Sequence, residues 1–180
     1  MPYVVLALVI ILFGITAAWV IITRNTFRSF LKINKEADSE IEYALTERYE
    51  AIVKLVEIAD SLGESLDSIT TIPDMLNTGS TVKEKEEFDL LLTDLQNSIN
   101  SSVIYNPVIA DDRFFKKQQL LISDYEERIN TAKSAYNRSA SVINQIKSTF
   151  PSDIVADFMG ISTLELFSDG KSESQGADSK

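Results

Sequence analysis

The chain opens with a long apolar segment. Val4 to Ile22 is an unbroken run of 19 residues without a strongly polar side chain, and residues 1–23 carry no charged side chain. At about 1.5 Å per residue, a helix of this length covers the roughly 30 Å hydrocarbon layer of a bilayer. Tyr3 and Trp19 lie near its two ends, where amphipathic rings favour the membrane interfaces. The pattern predicts a transmembrane helix over residues 1–23.

A cleaved signal peptide and a buried core helix are the other interpretations of this segment. A signal peptide has a basic start, a shorter apolar stretch and a cleavage site between small residues. No Lys or Arg precedes the run here, and Ala17 and Ala18 are followed by the bulky ring of Trp19. An uncleaved anchor is therefore the favoured interpretation, and a soluble core helix is the least favoured.

The following segment has the spacing of a long helix. Apolar positions recur at alternating steps of three and four residues, with three polar interruptions. The row is Phe27, Leu31, Asn34, Asp38, Ile41, Leu45, Arg48, Ile52, Leu55, Ala59, Leu62, Leu66 and Ile69. No Pro lies between Tyr3 and Pro73. The helix is therefore predicted to continue to about Ile69, and residues 70–80 are predicted to form a connection.

Two further helices are predicted after this connection. Thr81 and Glu84 have the spacing of a capping box, which marks a helix start, and Pro107 marks the end of that helix. Its apolar row is Phe88, Leu92, Leu95, Ile99 and Val103. Asp111 or Asp112 can cap the next helix. The row of that helix is Phe114, Gln118, Leu121, Tyr125, Ile129, Ala132, Tyr136, Ala140, Ile143, Ile146 and Phe150.

The predicted fold class is all-α, since no strand pattern competes with the helices. Pro151 separates the third helix from a short last helix over residues 152–161, whose Ile154, Val155, Phe158 and Ile161 are predicted to face neighbouring helices. Short connections favour antiparallel packing of successive helices. The predicted architecture is therefore an N-terminal transmembrane helix, an elongated antiparallel bundle of three long helices and a short C-terminal helix. The predicted divisions are an anchor (1–23), a helical domain (24–165) and a disordered polar tail (166–180).

The composition excludes several kinds of site, because the chain contains no Cys and no His. Disulfides, thiolate nucleophiles, zinc sites built from Cys and His, and catalytic triads with His cannot form. The acidic groups lack the spacing of a calcium loop and are read as solvated helix faces. These groups are Glu84/Glu86/Glu87, Asp111-Asp112 and Glu126-Glu127. We expect no enzymatic activity, no cofactor and no metal site.

Charge is unevenly distributed along the chain. Four basic residues, Arg24, Arg28, Lys32 and Lys35, follow the apolar run before the first acid. By the positive-inside rule they place the helical domain in the cytoplasm, with the N-terminus outside an inner cell membrane. From residue 36 to residue 74 there are 11 acidic and two basic residues. Such a segment is repelled by phosphate backbones, so nucleic acid is not an expected partner.

Three stretches, in this order, resemble the LemA family of bacterial membrane-anchored proteins. The first is TERYEAIVKLVE (Thr46 to Glu57), which resembles the family's Arg-Arg-Tyr signature. The second is YNPVIADDRFFKKQQL (Tyr105 to Leu120), which resembles its Tyr-Pro stretch. The third is AYNRSASVINQIKSTFPSDIVA (Ala135 to Ala156), which resembles its closing Tyr-Asn and Phe-Pro-Ser pattern. The sequence departs from the pattern at Val53-Lys54 and at Ile143, and one residue is inserted at Asn106.

The resemblance implies a single-pass inner-membrane protein with a helical-bundle domain, and it supplies no reaction. The positions that match family motifs are interpreted as structural. They are Arg48, Tyr49, Tyr136, Asn137, Asn144, Phe150 and Pro151. For Arg48, pairing with a carboxylate of another helix is favoured over recognition of a ligand. Tyr136, Asn137 and Asn144 are expected to form hydrogen bonds across the bundle, and Phe150-Pro151 is expected to stop one helix before the next begins.

These patterns favour a membrane-anchored interaction or scaffold protein. The lipid bilayer is the expected partner of residues 4–22, and the acidic helical surface is expected to face a protein partner. Self-association is left open. The rival is a carboxylate-based enzyme or transport accessory subunit, which a buried cluster of acids from different helices would favour. An exported protein released by cleavage is the third alternative.

Overall fold

The computed structural model describes residues 2–63, 79–103 and 105–168. Within these ranges the chain is helical and contains no strand, which confirms the all-α prediction for the described residues. The helices are α1 (Pro2–Ser61), α2 (Val82–Val103), α3 (Pro107–Ala110), α4 (Arg113–Lys147) and α5 (Ser152–Phe158).

The chain divides into two compact units. Unit 1 contains Met1–Glu36 and Ala135–Leu166, and unit 2 contains Ala37–Ser134 and Phe167–Lys180. Helix α1 belongs to unit 1 up to Glu36 and to unit 2 from Ala37, and helix α4 belongs to unit 2 up to Ser134 and to unit 1 from Ala135. Each unit has its own buried core.

Helix α1 is 60 residues long and buries the predicted apolar row. The fully buried members include Phe27, Ile41, Leu45, Ile52 and Leu55. The helix ends at Ser61, where Gly63 adopts a φ of +95° that favours a residue without a Cβ atom. The helix was predicted to continue to about Ile69, and this is wrong for residues 62 and 63, which form a turn. Residues 64–78 lie outside the described residues.

Helix α2 begins with the predicted capping box. Oγ1 of Thr81 accepts a hydrogen bond of 3.2 Å from the amide of Glu84, and Oε2 of Glu84 accepts one of 2.6 Å from the amide of Thr81. Each side chain thus satisfies an amide that the first helical turn leaves without an intrahelical partner. The apolar row is buried at Phe88, Leu92 and Ile99, as predicted.

Helix α2 runs in the same direction as α1, which corrects the prediction of antiparallel neighbours. In unit 2, Lys85 pairs with Asp38, whereas Gln96 further along α2 bonds Arg48 further along α1. The residue numbers of the paired positions therefore increase in the same direction along both helices. Apolar periodicity places a face towards the core, but it contains no information on the direction of the neighbouring helix, and this is why the prediction failed.

Helix α4 runs opposite to α1. Tyr125 contacts Glu47, and Arg128, later in α4, contacts Glu40, earlier in α1. The start of α4 is capped by Asp112, whose Oδ1 accepts hydrogen bonds of 2.8 Å from the amides of the second and third residues that follow it. This choice between Asp111 and Asp112 was left open by the sequence.

A short helix that the sequence did not predict precedes α4. Pro107 opens α3, and the side chain of Asn106 accepts a hydrogen bond of 3.2 Å from the amide of Val108. Pro at the first helical position loses no helical hydrogen bond, because its missing amide hydrogen would have no intrahelical acceptor there. The residue that was predicted only to end α2 therefore also starts α3.

The buried row of α4 differs from the predicted row near its start. Phe114, predicted to be buried, is exposed, and Phe115 is buried in its place. The buried residues repeat every seven positions at Phe115, Ile122, Ile129, Tyr136 and Ile143. The predicted row and the buried row coincide only from Ile129 onwards. Phe114 and Phe115 are adjacent and equally apolar, so the sequence did not show which of them begins the row.

The core of unit 1 joins α1, α4 and α5. Phe27, Ile143, Val155 and Ala156 are buried together. Partly buried residues packed against them are Trp19, Phe30, Leu31, Ile146, Met159, Ile161 and Leu164. Burial of Val155 and partial burial of Ile161 agree with the predicted inward face of the last helix.

Three large side chains near α5 depart from the prediction. Phe150, Ile154 and Phe158 are exposed by 77%, 60% and 93%, although Phe150 was predicted to end the apolar row of the third long helix and the other two were predicted to face neighbouring helices. The helix is also shorter than predicted, because it ends at Phe158. An apolar residue on a short helix can pack inwards on only one side, and Val155 and Ala156 occupy that side.

The two ends of the described chain differ in character. Helix α1 is long and apolar enough near its N-terminus to cross a membrane, and the side chains from Pro2 to Ala18 are exposed. At the other end, Phe167 is buried and Ser168 donates a hydrogen bond of 2.7 Å from its hydroxyl to Glu86. These two residues belong to the segment predicted as a disordered tail, and residues 169–180 lie outside the described residues.

Candidate functional site

The most unusual feature of unit 2 is a charged side chain in its core. Arg48 lies on the buried row of α1 and is only 1% exposed. Its Nη1 atom lies 2.6 Å from Oδ1 of Asp89 on α2, and its Nη2 atom bonds Glu126 on α4. Nη2 also donates to Gln96 over 2.9 Å and to Thr93 over 3.2 Å. One guanidinium therefore joins three helices.

This arrangement suits an arginine better than a lysine. The guanidinium presents five N–H donors in a planar fork and stays charged, so it can bind acceptors on two helices at once. Nε of Arg48 is buried without an acceptor among the described residues. Burying a charge is costly unless its partners are close, so Arg48 requires the two carboxylates. The predicted pairing of Arg48 with a carboxylate of another helix is confirmed.

Lys133 of α4 completes the local charge balance. Its Nζ lies 2.6 Å from Oδ2 of Asp89, the oxygen that Arg48 does not bind. Asp89 is therefore shared between two cations, and Arg48 and Lys133 together balance Asp89 and Glu126. Lys133 also lies over the ring of Phe167, 5.6 Å from its centroid. This contact ties the segment after residue 166 to the same cluster.

A second buried cation, Lys85 of α2, also pairs with carboxylates of another helix. Lys85 is 1% exposed, and its Nζ lies 2.5 Å from Oδ1 of Asp38 and 3.0 Å from Oε1 of Glu42. Asp38 is one of the polar interruptions in the apolar row of α1. The interruption is explained by its partner, because Lys85 continues the apolar row of α2 three residues before Phe88.

A third ion pair lies closer to solvent and involves tyrosine rings. Arg128 bonds Oε1 of Glu40 over 2.6 Å, and this hydrogen bond raises the pKa of Arg128. The guanidinium lies over the rings of Tyr43 and Tyr125, 5.3 and 5.6 Å from their centroids. Burial raises the pKa of Tyr125, and its hydrogen bond to Glu47 raises it further.

Two other family-motif positions, Tyr49 and Tyr136, make contacts between helices. Tyr49 packs edge-on against Phe88 with ring centroids 6.2 Å apart. Tyr136 is buried in α4 and offers its carbonyl to Asn34, whose side-chain amide also bonds Ser139. Asn137 follows on α4 and is half-buried.

Asn144 holds the segment after α5 against α4. Its Nδ2 donates to the carbonyl of Leu164 over 2.8 Å, and its Oδ1 accepts from the amide of Leu164 over 2.9 Å. Asn144 was predicted to form hydrogen bonds across the bundle, whereas its observed partner is the backbone of the segment after α5. Phe150 and Pro151 lie between α4 and α5, which confirms the predicted helix stop and restart.

The acidic groups singled out in the sequence have partners other than a metal. The amide of Thr81 lowers the pKa of Glu84, and Lys116 lowers the pKa of Asp111 through a hydrogen bond. Glu126 binds Arg48, and Glu86 accepts from Ser168. Within the described residues, no group of three or more acidic side chains has the geometry to hold a metal ion.

A polar depression lies along α4 in unit 2. Its volume is 430 Å³, and it is lined by Ser123, Glu126, Glu127, Asn130, Thr131 and Ser134. All six belong to one helix face, so the depression is shallow. Glu126 is the only member that also reaches the buried cluster, where Arg48 neutralises it.

Sequence reasoning missed Lys85, Asp89 and Lys133 as members of the cluster. Lys85 had a usable signal, since it continues the apolar row of α2 by one step of three residues. Asp89 and Lys133 are adjacent to buried row positions but lie off the row. Their pairing depends on which helices are neighbours and in which direction they run.

The fold and these contacts define an all-helical protein with an apolar N-terminal helix and charged residues in its helical core. The model of the LemA family matches residues 37–178 of the chain. The chain belongs to the LemA family. A comparison with curated proteins found no significant match to this chain.

Proposed function

We propose that this protein is a single-pass membrane protein whose helical bundle serves as an interaction module at the cytoplasmic membrane surface. The observation that carries the proposal is the exposure of the apolar helix. Side chains from Pro2 to Ala18 are exposed and are not covered by any other described residue, and a surface of this kind requires lipid or a partner. Its length and hydropathy suit a bilayer.

The orientation follows from the basic residues after the apolar run. Arg24, Arg28, Lys32 and Lys35 lie within the first turns beyond Ile22, whereas residues 1–3 on the other side of the run contain no Lys or Arg. The positive-inside rule favours a cytoplasmic bundle. Three long helices, α1, α2 and α4, form the bundle of unit 2, with α1 and α2 parallel and α4 opposite to both.

The bundle surface is acidic because its buried cations are already paired. In the described part of unit 2, nine acidic side chains are exposed and five basic side chains are exposed. Arg48 and Lys85 are withdrawn into the core with their carboxylate partners. The exposed acids are Glu50, Glu57, Asp60, Glu84, Glu87, Asp94, Asp111, Asp124 and Glu127. A protein partner with a basic docking face suits this surface.

One observation favours the rival function, which is a carboxylate-based enzyme or transport accessory subunit. Asp89 and Glu126 come from different helices and meet at one point. Both oxygens of Asp89 are bound to cations, and Oε1 of Glu126 is bound to Arg48. A catalytic carboxylate needs an oxygen that can reach a substrate, and Asp89 has no oxygen left for this, so we favour the interaction module.

Attachment is tested by washing membranes with alkaline carbonate. The full-length protein should remain in the pellet, and a Leu8→Arg/Ile11→Arg variant should be lost from it because charges in the span are costly. A shortened soluble wild-type product would contradict the anchor and favour release by cleavage. A reporter fused after Lys180, together with protease treatment of spheroplasts, tests the orientation.

The interaction is tested with photo-crosslinking residues placed at exposed acids in cells. Positions Asp94 and Glu127 should yield a discrete crosslinked protein that is identified by mass spectrometry. Replacing neighbouring exposed acids by lysine should abolish the product if the acidic surface is recognised. Persistence of the same product after charge reversal would contradict an electrostatic partner.

A further inference from the structure

Unit 1 exposes an apolar surface that the proposed function does not use. Phe158 and Ile154 are 93% and 60% exposed and lie four residues apart on one face of α5, and Phe150 precedes that helix with 77% exposed. Val155 and Ala156 on another face are buried against Phe27. Helix α5 is therefore apolar both towards the protein and away from it.

The position of α5 in unit 1 follows from contacts along α1. Asn34 bonds Tyr136 and Ser139, whereas Phe27 packs with Ile143, so α4 descends towards the N-terminus of α1. Lys147, the end of α4, lies eight residues beyond Ser139, about 12 Å along the helix axis. This places the end of α4 near the level of Thr26.

The segment that follows α4 continues in the same direction. Trp19 packs against the core cluster that contains Val155 and Ala156, and Thr23 is buried. Trp19 is the first half-covered residue after the exposed apolar run. Helix α5 therefore lies beside the C-terminal end of that run, where the proposed membrane span meets water.

We propose that Phe150, Ile154 and Phe158 insert into the lipid interface beside the membrane-spanning helix. The proposal rests on the anchoring part of the proposed function. Trp19, near the end of the apolar run, packs against the cluster that contains Val155 and Ala156 of α5, so a bilayer that surrounds the run also meets α5. Short amphipathic elements with aromatic side chains bind at the boundary between headgroups and acyl chains.

The charge of unit 1 is compatible with this contact. It contains six basic and four acidic side chains, whereas the rest of the chain carries the acidic excess. Arg24 and Arg28 follow the apolar run directly and can bind lipid phosphates. Asp153 and Asp157 precede the exposed Ile154 and Phe158 by one residue each, which turns the carboxylates to a different side of α5.

The experiment uses the full chain in vesicles that contain lipids brominated on the acyl chain near the headgroup. Trp19, the only tryptophan, is replaced by Phe, and a single tryptophan is then introduced. The reporter variant is Phe158→Trp. A Leu8→Trp variant reports on the span, and Ile33→Trp is the exposed control, 14 residues beyond Trp19 and thus about 21 Å along α1.

The proposal expects strong quenching of Phe158→Trp and of Leu8→Trp, with Ile33→Trp unchanged. Emission from Phe158→Trp should also shift to shorter wavelength than that from Ile33→Trp. Quenching of Leu8→Trp alone would overturn the contact and leave the anchor intact. Loss of quenching at Leu8→Trp would overturn the anchor, and the contact with it.

Two other outcomes would also overturn the contact. Equal quenching of Ile33→Trp would mean that α5 is not the specific lipid-binding element. A short-wavelength emission from Phe158→Trp without quenching, which disappears when the protein is diluted in lipid, would mean that a second copy of the chain covers this surface.

Discussion

Nζ of Lys85 lies 2.5 Å from Oδ1 of Asp38 inside unit 2, and each residue occupies a position of its helix where an apolar side chain would otherwise lie. With α1 and α2 parallel, the two polar positions meet only in this register. A shift by one helical turn would leave a buried ammonium beside apolar side chains, which is costly. The pair therefore selects one alignment of two apolar rows.

Replacing Lys85 tests this selection. In Lys85→Ala the carboxylates of Asp38 and Glu42 lose their cation, and we expect a loss of unfolding free energy of about 2 kcal/mol, below the value for fully buried pairs because both carboxylates keep some contact with water. Lys83→Ala is the matched control, since Lys83 is exposed on the same helix. Urea unfolding of the full chain in detergent measures the difference.

A double variant separates the pair from its surroundings. If the two residues interact, Lys85→Met with Asp38→Leu should be more stable than the sum of the two single changes predicts. Simple additivity would show that the register is fixed elsewhere.

Arg48 should be the most sensitive polar position of unit 2. Arg48→Ala removes one cation from Asp89 and, within the described residues, the single cation paired with Glu126, and we expect a loss of about 3 kcal/mol, the lower end of the range for buried pairs. Arg48→Lys keeps the charge but cannot reach both carboxylates, so it should lie between the parent and Arg48→Ala. Lys54→Ala, on the exposed side of α1, should change stability by less than about 0.5 kcal/mol.

These contacts show where the sequence was informative. The polar residues Asp38 and Arg48 were visible in the sequence as interruptions of a heptad row of apolar residues. The apolar residues next to them in this row are buried, as the row predicted. Their partners were not visible. A carboxylate such as Asp89 becomes a partner only through the direction and register of α2, and these depend on the whole packing arrangement.

The same reason explains the errors on α4 and α5. Phe114 and Phe115 are equally apolar, and the choice between them is made by the neighbouring helices. On α5, both Val155 and Phe158 are apolar, and only the first has a protein neighbour in the core of unit 1. In each case the apolar periodicity identified the helix. Which apolar side chains of that helix are buried depends on how it packs against the other helices.

Two core residues test the burial of the apolar rows. Ile52→Ala in unit 2 and Ile143→Ala in unit 1 should each lower the unfolding free energy by about 2 to 5 kcal/mol, because they remove buried methyl groups and leave a cavity. Ile33→Ala makes the same chemical change at an exposed position and should cost much less. Equal losses at all three positions would contradict the assigned core.

The backbone contact of Asn144 is tested at the segment after α5. Asn144→Ala leaves the amide and the carbonyl of Leu164 without this partner, and we expect a loss of about 1 to 3 kcal/mol. Hydrogen exchange at the amide of Leu164 should become faster. Asn130→Ala, at an exposed position of α4, is the control and should leave that amide unchanged.

The capping box at the start of α2 predicts a dependence of stability on pH. The amide of Thr81 donates to the carboxylate of Glu84, and this bond lowers the pKa of Glu84 below its ordinary value. A group whose pKa is lower in the folded state stabilises the fold above the pKa of the unfolded state. The contribution is lost as the pH falls through the folded pKa.

Glu84→Gln should therefore flatten the decline in stability below about pH 4.5, while it keeps a side chain able to accept a hydrogen bond. Thr81→Val removes only the hydroxyl, which is the smaller cause of the shift, so it should retain most of the decline that belongs to Glu84. Urea unfolding of the three proteins between neutral and acidic pH measures the slopes. If Thr81→Val and Glu84→Gln flattened the profile equally, the hydroxyl and not the backbone amide would be the main donor to Glu84.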